Sequence, residues 1–202
     1  MILTPIHPEA LPDVLAAFDA GLAGYPVARH VFRRIAATAR LCPGFTADLH
    51  AGRNKAVGLA QDMGIPVCDE DPASAYSWDG HVIRTRSETS VVFHEIAHWQ
   101  IAPAERRSLP DFGLGAGPET GCIDEANRAI CVDFATKERE ENLASLLGIL
   151  WETEYGEPAI LAFAEQNWLE LPERPNTQAH FAEHLEALKV LGLIDAEGRP
   201  IR

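Results

Sequence analysis

The sequence predicts an α+β chain that is mostly helical, with a small sheet beside one buried helix. Three observations predict it. Apolar residues recur at helical spacing through most of the 202 residues. Only residues 65–68 and 81–85 read as extended. Turn-rich stretches, rather than further strands, separate the helical ones. Hydrophobic residues make up 47% of the chain and charged residues 23%, enough apolar surface for a core of ordinary size.

In chain order, residues 8–41 read as two helices broken near Gly24-Tyr25-Pro26, and Cys42-Pro43-Gly44 ends the second. A short helix over 53–64 precedes the extended Ile65-Pro66-Val67-Cys68. Residues 69–80 are turn-rich, and His81-Val82-Ile83-Arg84-Thr85 reads as a strand. The next helix runs from about Glu88 to Ala102, with Thr85-x-x-Glu88 as a capping box and Pro103 as its stop. A Gly/Pro loop fills 108–121. Helices are expected over 124–134, 138–151, from Pro158 to Trp168, and from a Thr177 cap to about Leu191.

The net charge of -13 argues against general nucleic-acid or anionic-membrane binding. Arg84, Arg86, Arg106 and Arg107 are the candidates for a local basic patch. No apolar run approaches the ~20 residues that span a bilayer. The stretch MILTPIHPEALPDV lacks a basic segment followed by an apolar one, so no secretory signal is expected there and the expected location is cytoplasmic. Cys42, Cys68, Cys122 and Cys131 form no CxxC pair and read as reduced thiols.

His94-Glu95-Ile96-Ala97-His98 carries the chemistry. Residues at i and i+4 share a helix face, so both imidazoles can meet one divalent ion. Glu95 can reach a metal-bound water as a base without being a ligand. Val91, Val92, Phe93, Ile96, Ala97, Trp99 and Ile101 make the helix apolar almost all round, which predicts burial. Buried imidazoles and a carboxylate need partners, and a metal supplies them.

A third ligand is expected from a later carboxylate: Glu119, Asp124, Glu125, Glu138, Glu140 or Glu141. On helix 138–151, Leu143, Leu146, Leu147, Leu150 and Trp151 form a bulky face, while Glu141, Ala144, Ser145 and Gly148 form a small one. Small side chains let backbones approach closely, so Glu141 is the first choice, then Glu140, then Glu125. The bland alternative for this acidic run is a solvated helix start with a Lys137–Glu141 pair. A second pattern, His180-Phe181-Ala182-Glu183-His184, spells HxxEH but reads as an amphipathic helix with Phe181, Leu185 and Leu188 inside.

The stretch FHEIAHWQIAPAERRSLPDFG, Phe93 to Gly113, resembles the core of the bacterial elongation factor P hydroxylase family. Its marks are the HExxH helix, Trp99, Ile101-Ala102, Arg106-Arg107 and Asp111-Phe112-Gly113. LPERP at 171–175 is a weaker echo. The resemblance implies a zincin-like metal site with His94, His98 and a downstream glutamate as ligands. It also implies hydroxylation of a modified lysine on a translation factor, a protein substrate. Leu114-Gly115-Ala116-Gly117 replaces the family's aromatic-rich stretch, and EENLASLLG is closer to antirestriction metallopeptidases.

Three readings follow: a metal-dependent hydroxylase, a zinc peptidase of the glutamate-ligand type, and a non-enzymatic metal-stabilised interaction module. The donor set suits zinc or iron equally. The expected organisation is one metal-binding domain over 1–202, with an N-terminal helical part (1–64), a metal-site core (65–155) and a C-terminal helical part (156–202).

Overall fold

The computed structural model describes residues 7, 9–169 and 175–202. Most of the LPERP echo therefore lies outside the described residues. The described chain is mostly helical, with one two-stranded sheet. Eight α-helices follow in order: α1 (Leu11–Gly21), α2 (Pro26–Ala36), α3 (Arg53–Asp62), α4 (Thr89–Ile101), α5 (Ile123–Arg128), α6 (Phe134–Glu154), α7 (Ala159–Glu165) and α8 (Thr177–Val190). Strands β1 (Val67–Cys68) and β2 (Ile83–Arg84) lie between α3 and α4 and pair in parallel, Val67 opposite Ile83.

The chain forms two compact units. One comprises residues 1–47 and 149–202, the other 48–148. The division falls within α6, after Gly148.

The first unit is built around aromatic rings. Phe18 meets Phe32 at 4.8 Å between centroids, and Phe163 meets Phe181 edge-on at 5.5 Å. Thr38 joins distant parts of this unit: its hydroxyl donates to the Ile35 carbonyl and accepts from the Ile160 amide. Pro158 precedes the first residue of α7, and the helix ends at Glu165, short of Trp168. Asn167 follows with a left-handed backbone, φ 65°, which the helix cannot continue through. Thr177 opens α8 as its first residue, and its hydroxyl is buried without a hydrogen-bond partner, so it does not act as the cap.

The second unit carries the HExxH helix. Val92, Phe93, Ile96 and Ala97 on α4 have no exposed surface, and Ile83 of β2 is equally buried. The expected capping box does not form. Thr85 turns its hydroxyl across the sheet to the Cys68 carbonyl, and the first amide of α4, Thr89, donates to the Leu49 carbonyl. Glu88 occupies the cap position without a side-chain bond.

Two further boundaries differ from the sequence reading. The helix expected over 124–134 is only α5, and α6 begins at Phe134 rather than 138. Asp133 explains the early start: its carboxylate accepts from the Thr136 amide, an N-cap bond. The arginines expected as a basic patch have other partners. Arg84 bonds Asp79 and Glu70, Arg86 bonds Asp69, Arg106 bonds Glu140, and Arg107 lies 4.0 Å over the Trp99 ring. All four cysteines are free thiols. No helix among the described residues is long and apolar enough to cross a membrane.

Candidate metal centre

One turn of α4 sets His94 and His98 on the same face, with their Nε2 atoms 2.9 Å apart. Oε2 of Glu141 on α6 stands 3.4 Å from His98 Nε2 and 3.6 Å from His94 Nε2. The three donor atoms lie within 4.8 Å of one another, the one such group among the described residues. Donors about 2.0–2.1 Å from one tetrahedral ion stand about 3.3 Å apart. The observed separations bracket that figure, so this donor set fits a single ion.

The approach of the two helices depends on Gly148. A Cβ built there would stand 3.2 Å from the His94 Cα and amide nitrogen. Ala144 and Ser145 on the same stripe are buried, at 0% and 2% exposure. Only small residues allow α6 to come this close to the histidine backbone. That proximity brings Glu141, two turns earlier on the stripe, to the imidazoles.

The rest of the site comes from the loop after α4. Asp111, Phe112 and Gly113 all have left-handed backbones, at φ 42°, 55° and 71°. Such conformations are costly for Asp and Phe and persist only when the surroundings hold them. Thr120 Oγ1 donates to the Asp111 carboxylate at 2.8 Å, and the Trp78 amide donates to it at 3.3 Å. The strained turn drives the Phe112 ring between Trp78, stacked at 5.3 Å and 2°, and His98, stacked at 5.6 Å and 24°. Phe112 thus forms one wall of the His98 imidazole.

The electrostatics follow from burial. Burial and the neighbouring His98 push the His94 pKa down, which favours the neutral imidazole, the form that could bind a metal. Its Nδ1 is buried without a hydrogen-bond partner. Burial would raise Glu141, but His98 and then the hydrogen bonds of both imidazoles hold it well below the carboxylate range. Glu95 behaves oppositely. It is 8% exposed, and burial followed by the charges of Asp111, Glu119 and Glu141 raises its pKa well above the ordinary value. Two carboxyls of opposite protonation tendency, Glu95 buried and Glu141 half-buried, therefore share one site.

Of the other acidic candidates, two are engaged elsewhere. Both oxygens of Glu140 bind Arg106, at 2.5 and 2.7 Å. Glu125 pairs with Arg128 at the surface. Asp124 and Glu138 are exposed. Glu119 is half-buried, and burial raises its pKa, with smaller contributions from Glu88, Asp111 and Glu141.

Residues 58–129 match a family model. It is that of EpmC, elongation factor P hydroxylase. No curated protein and no solved structure matches the chain. The elongation factor P hydroxylase match includes His94, Glu95, His98 and the Asp111-Phe112-Gly113 turn, while Glu141 lies beyond it. It gives the peptidase alternative no support. The residues behind the resemblance have local work to do: Trp99 supports Arg107, Arg106 bonds the Phe112 carbonyl, and Phe112 packs on His98. The sequence reading assigned no roles to Asp111, Phe112 or Trp78. A buried-looking Asp-Phe-Gly after a Pro was the available signal, but nothing in it announces three consecutive left-handed residues.

Proposed function

We propose that this protein is a metal-dependent hydroxylase acting on a protein side chain, as the elongation factor P hydroxylase family is described. The convergence of Glu141 on His94 and His98, two residues within the family-matched segment, carries the reading. His94, His98 and Glu141 would hold one divalent ion, in a zincin-like arrangement with Glu95 as the adjacent base. Two histidines and one carboxylate with open positions are the ligand set of non-haem iron oxygenases, and bound iron supplies the activation of dioxygen. Placing one oxygen atom of dioxygen in a C–H bond, and reducing the other to water, takes two electrons from an external reductant and two protons. Glu95 is the group suited to relay those protons, because it lies between the two histidines in the chain and burial raises its pKa, which favours holding a proton. Asp111 and Glu119, whose charges act on Glu95, make the surroundings acidic and favour a cationic substrate side chain, which fits a modified lysine on a translation factor in the cytoplasm.

The test uses protein reconstituted with iron(II) under a reductant, and elongation factor P carrying its modified lysine. Mass spectrometry should show the substrate gaining one oxygen atom. Zinc-loaded protein should give none. Glu95→Gln should keep its metal and lose about 10²–10⁴-fold in rate, since the amide cannot take a proton. Absence of oxygen incorporation with iron-loaded protein would refute the hydroxylase reading, and loss of metal by Glu95→Gln would refute its role as a base.

A further inference from the structure

Arg106 joins three parts of the site at once. It sits in the turn after α4, where its amide donates to the Pro103 carbonyl and its carbonyl accepts from Leu109. Its side chain is 11% exposed. Nη2 grips both oxygens of Glu140, the residue before Glu141 on α6. Nη1 donates to the Phe112 carbonyl at 3.2 Å. The Phe112 ring in turn packs on His98. The guanidinium fork thus ties the carboxylate helix to the strained turn that walls one imidazole. Removing either partner would leave the other charge buried and unpaired.

We propose that Arg106, with Glu140, is a positioning residue that fixes the Glu141 helix and the Phe112 wall relative to His98, and so sets the affinity and geometry of the cation site. The proposal rests on the metal reading above. It has a signature that simple charge effects lack. Removing a positive charge beside a cation site should tighten cation binding by Coulomb's law alone. Loss of positioning should weaken it, despite that gain. Partners outside the ligand set typically contribute 10–100-fold to metal affinity.

The probe is cobalt(II) added to the full metal-free chain, followed by calorimetry and by visible absorption, which reports coordination geometry. Wild type should bind one ion per chain, and His94→Ala should not. Arg106→Gln should bind about 10–100-fold more weakly, with an altered spectrum. Glu140→Gln should do likewise, and the double variant should be no worse than the weaker single one, because both cut the same link. Arg106→Lys keeps the charge but loses the two-sided fork, so it should also show a changed spectrum. If Arg106→Gln fails to fold, by circular dichroism, Arg106→Lys decides. Wild-type affinity and an unchanged spectrum in the folded variant would overturn the proposal while leaving the metal site standing. Failure of the wild type to bind cobalt would instead bring down the metal reading and this inference with it.

Discussion

The chain carries two histidine pairs at i and i+4 on well-formed helices, and their surroundings differ. On α4, His94 and His98 meet nearly edge-on, at 84°, with their Nε2 atoms converging beside Glu141. On α8, His180 and His184 lie 4.0 Å apart between ring centroids. There His184 Nδ1 donates to the His180 carbonyl, and Trp168 stacks on His180 at 5.4 Å. Both pairs have the spacing and a nearby glutamate in sequence, but Glu183 points to solvent. Among the described residues only the first pair joins a three-donor cluster. Helical spacing aligns two donors. A site also needs a second element that can come close enough to add a third.

The most direct way to break this comparison is to remove each pair. His94→Ala/His98→Ala should lose metal binding altogether after reconstitution with iron or zinc. His180→Ala/His184→Ala should keep one ion per chain and lose stability instead, because it strips rings packed on Trp168. Metal content by mass spectrometry and thermal unfolding separate the two outcomes. Full metal occupancy in the first variant would sink the idea that the pairs differ in function.

A smaller effect tests the third donor. Glu141→Ala should weaken metal binding by far more than Glu125→Ala or Glu119→Ala, and by more than Glu140→Ala, which acts only through position. Competition with a chelator of known affinity ranks the four. Equal losses for Glu119→Ala and Glu141→Ala would mean that the ion is closed by a different carboxylate.

The difference between the two pairs was partly legible in the sequence. The apolar surround of His94 and His98, and the small-residue stripe of Glu141, Ala144, Ser145 and Gly148, both mark close helix packing, and Gly148 does lie against the His94 backbone. The helices were legible because their periodicity runs over several turns. Their ends were harder, since single side chains decide them. Thr85 looked like a cap but serves the sheet, whereas Asp133, from which no cap was expected, sets the start of α6. Glu140 looked like a spare ligand because the long-range partner that occupies it, Arg106, is 34 residues away. The Asp111-Phe112-Gly113 turn was visible only as a string of letters. Its left-handed backbone depends on Trp78 and Thr120, which no local pattern connects to it.

The smallest effect sharpens the comparison through pH. Burial, and then His184, lowers the His180 pKa from its ordinary value, against a weaker opposing pull from Glu183. A histidine with a lowered folded pKa binds its proton more tightly when unfolded. Its contribution to stability is therefore complete above the unfolded value of about 6.5 and is lost as pH falls from there toward the folded value. His180→Gln removes that titration but also some packing, so the slope with pH is the readout and the absolute stability is not. In the metal-free protein the melting temperature should fall less steeply below about pH 6.5 for His180→Gln than for wild type. The gap should stay within about 2–4 °C, the shift that ~1 kcal/mol produces in a chain of this size. His94, also lowered by burial, should show the same behaviour without metal. Added zinc should separate the two: a ligating imidazole must be neutral, so acid then competes with the ion at His94 and steepens that slope, while the His180 component stays as it was. Parallel acid curves for wild type and His180→Gln would show that the ring on α8 carries no such penalty. A zinc-dependent change in the His180 component would show that the second pair is not merely packed against Trp168.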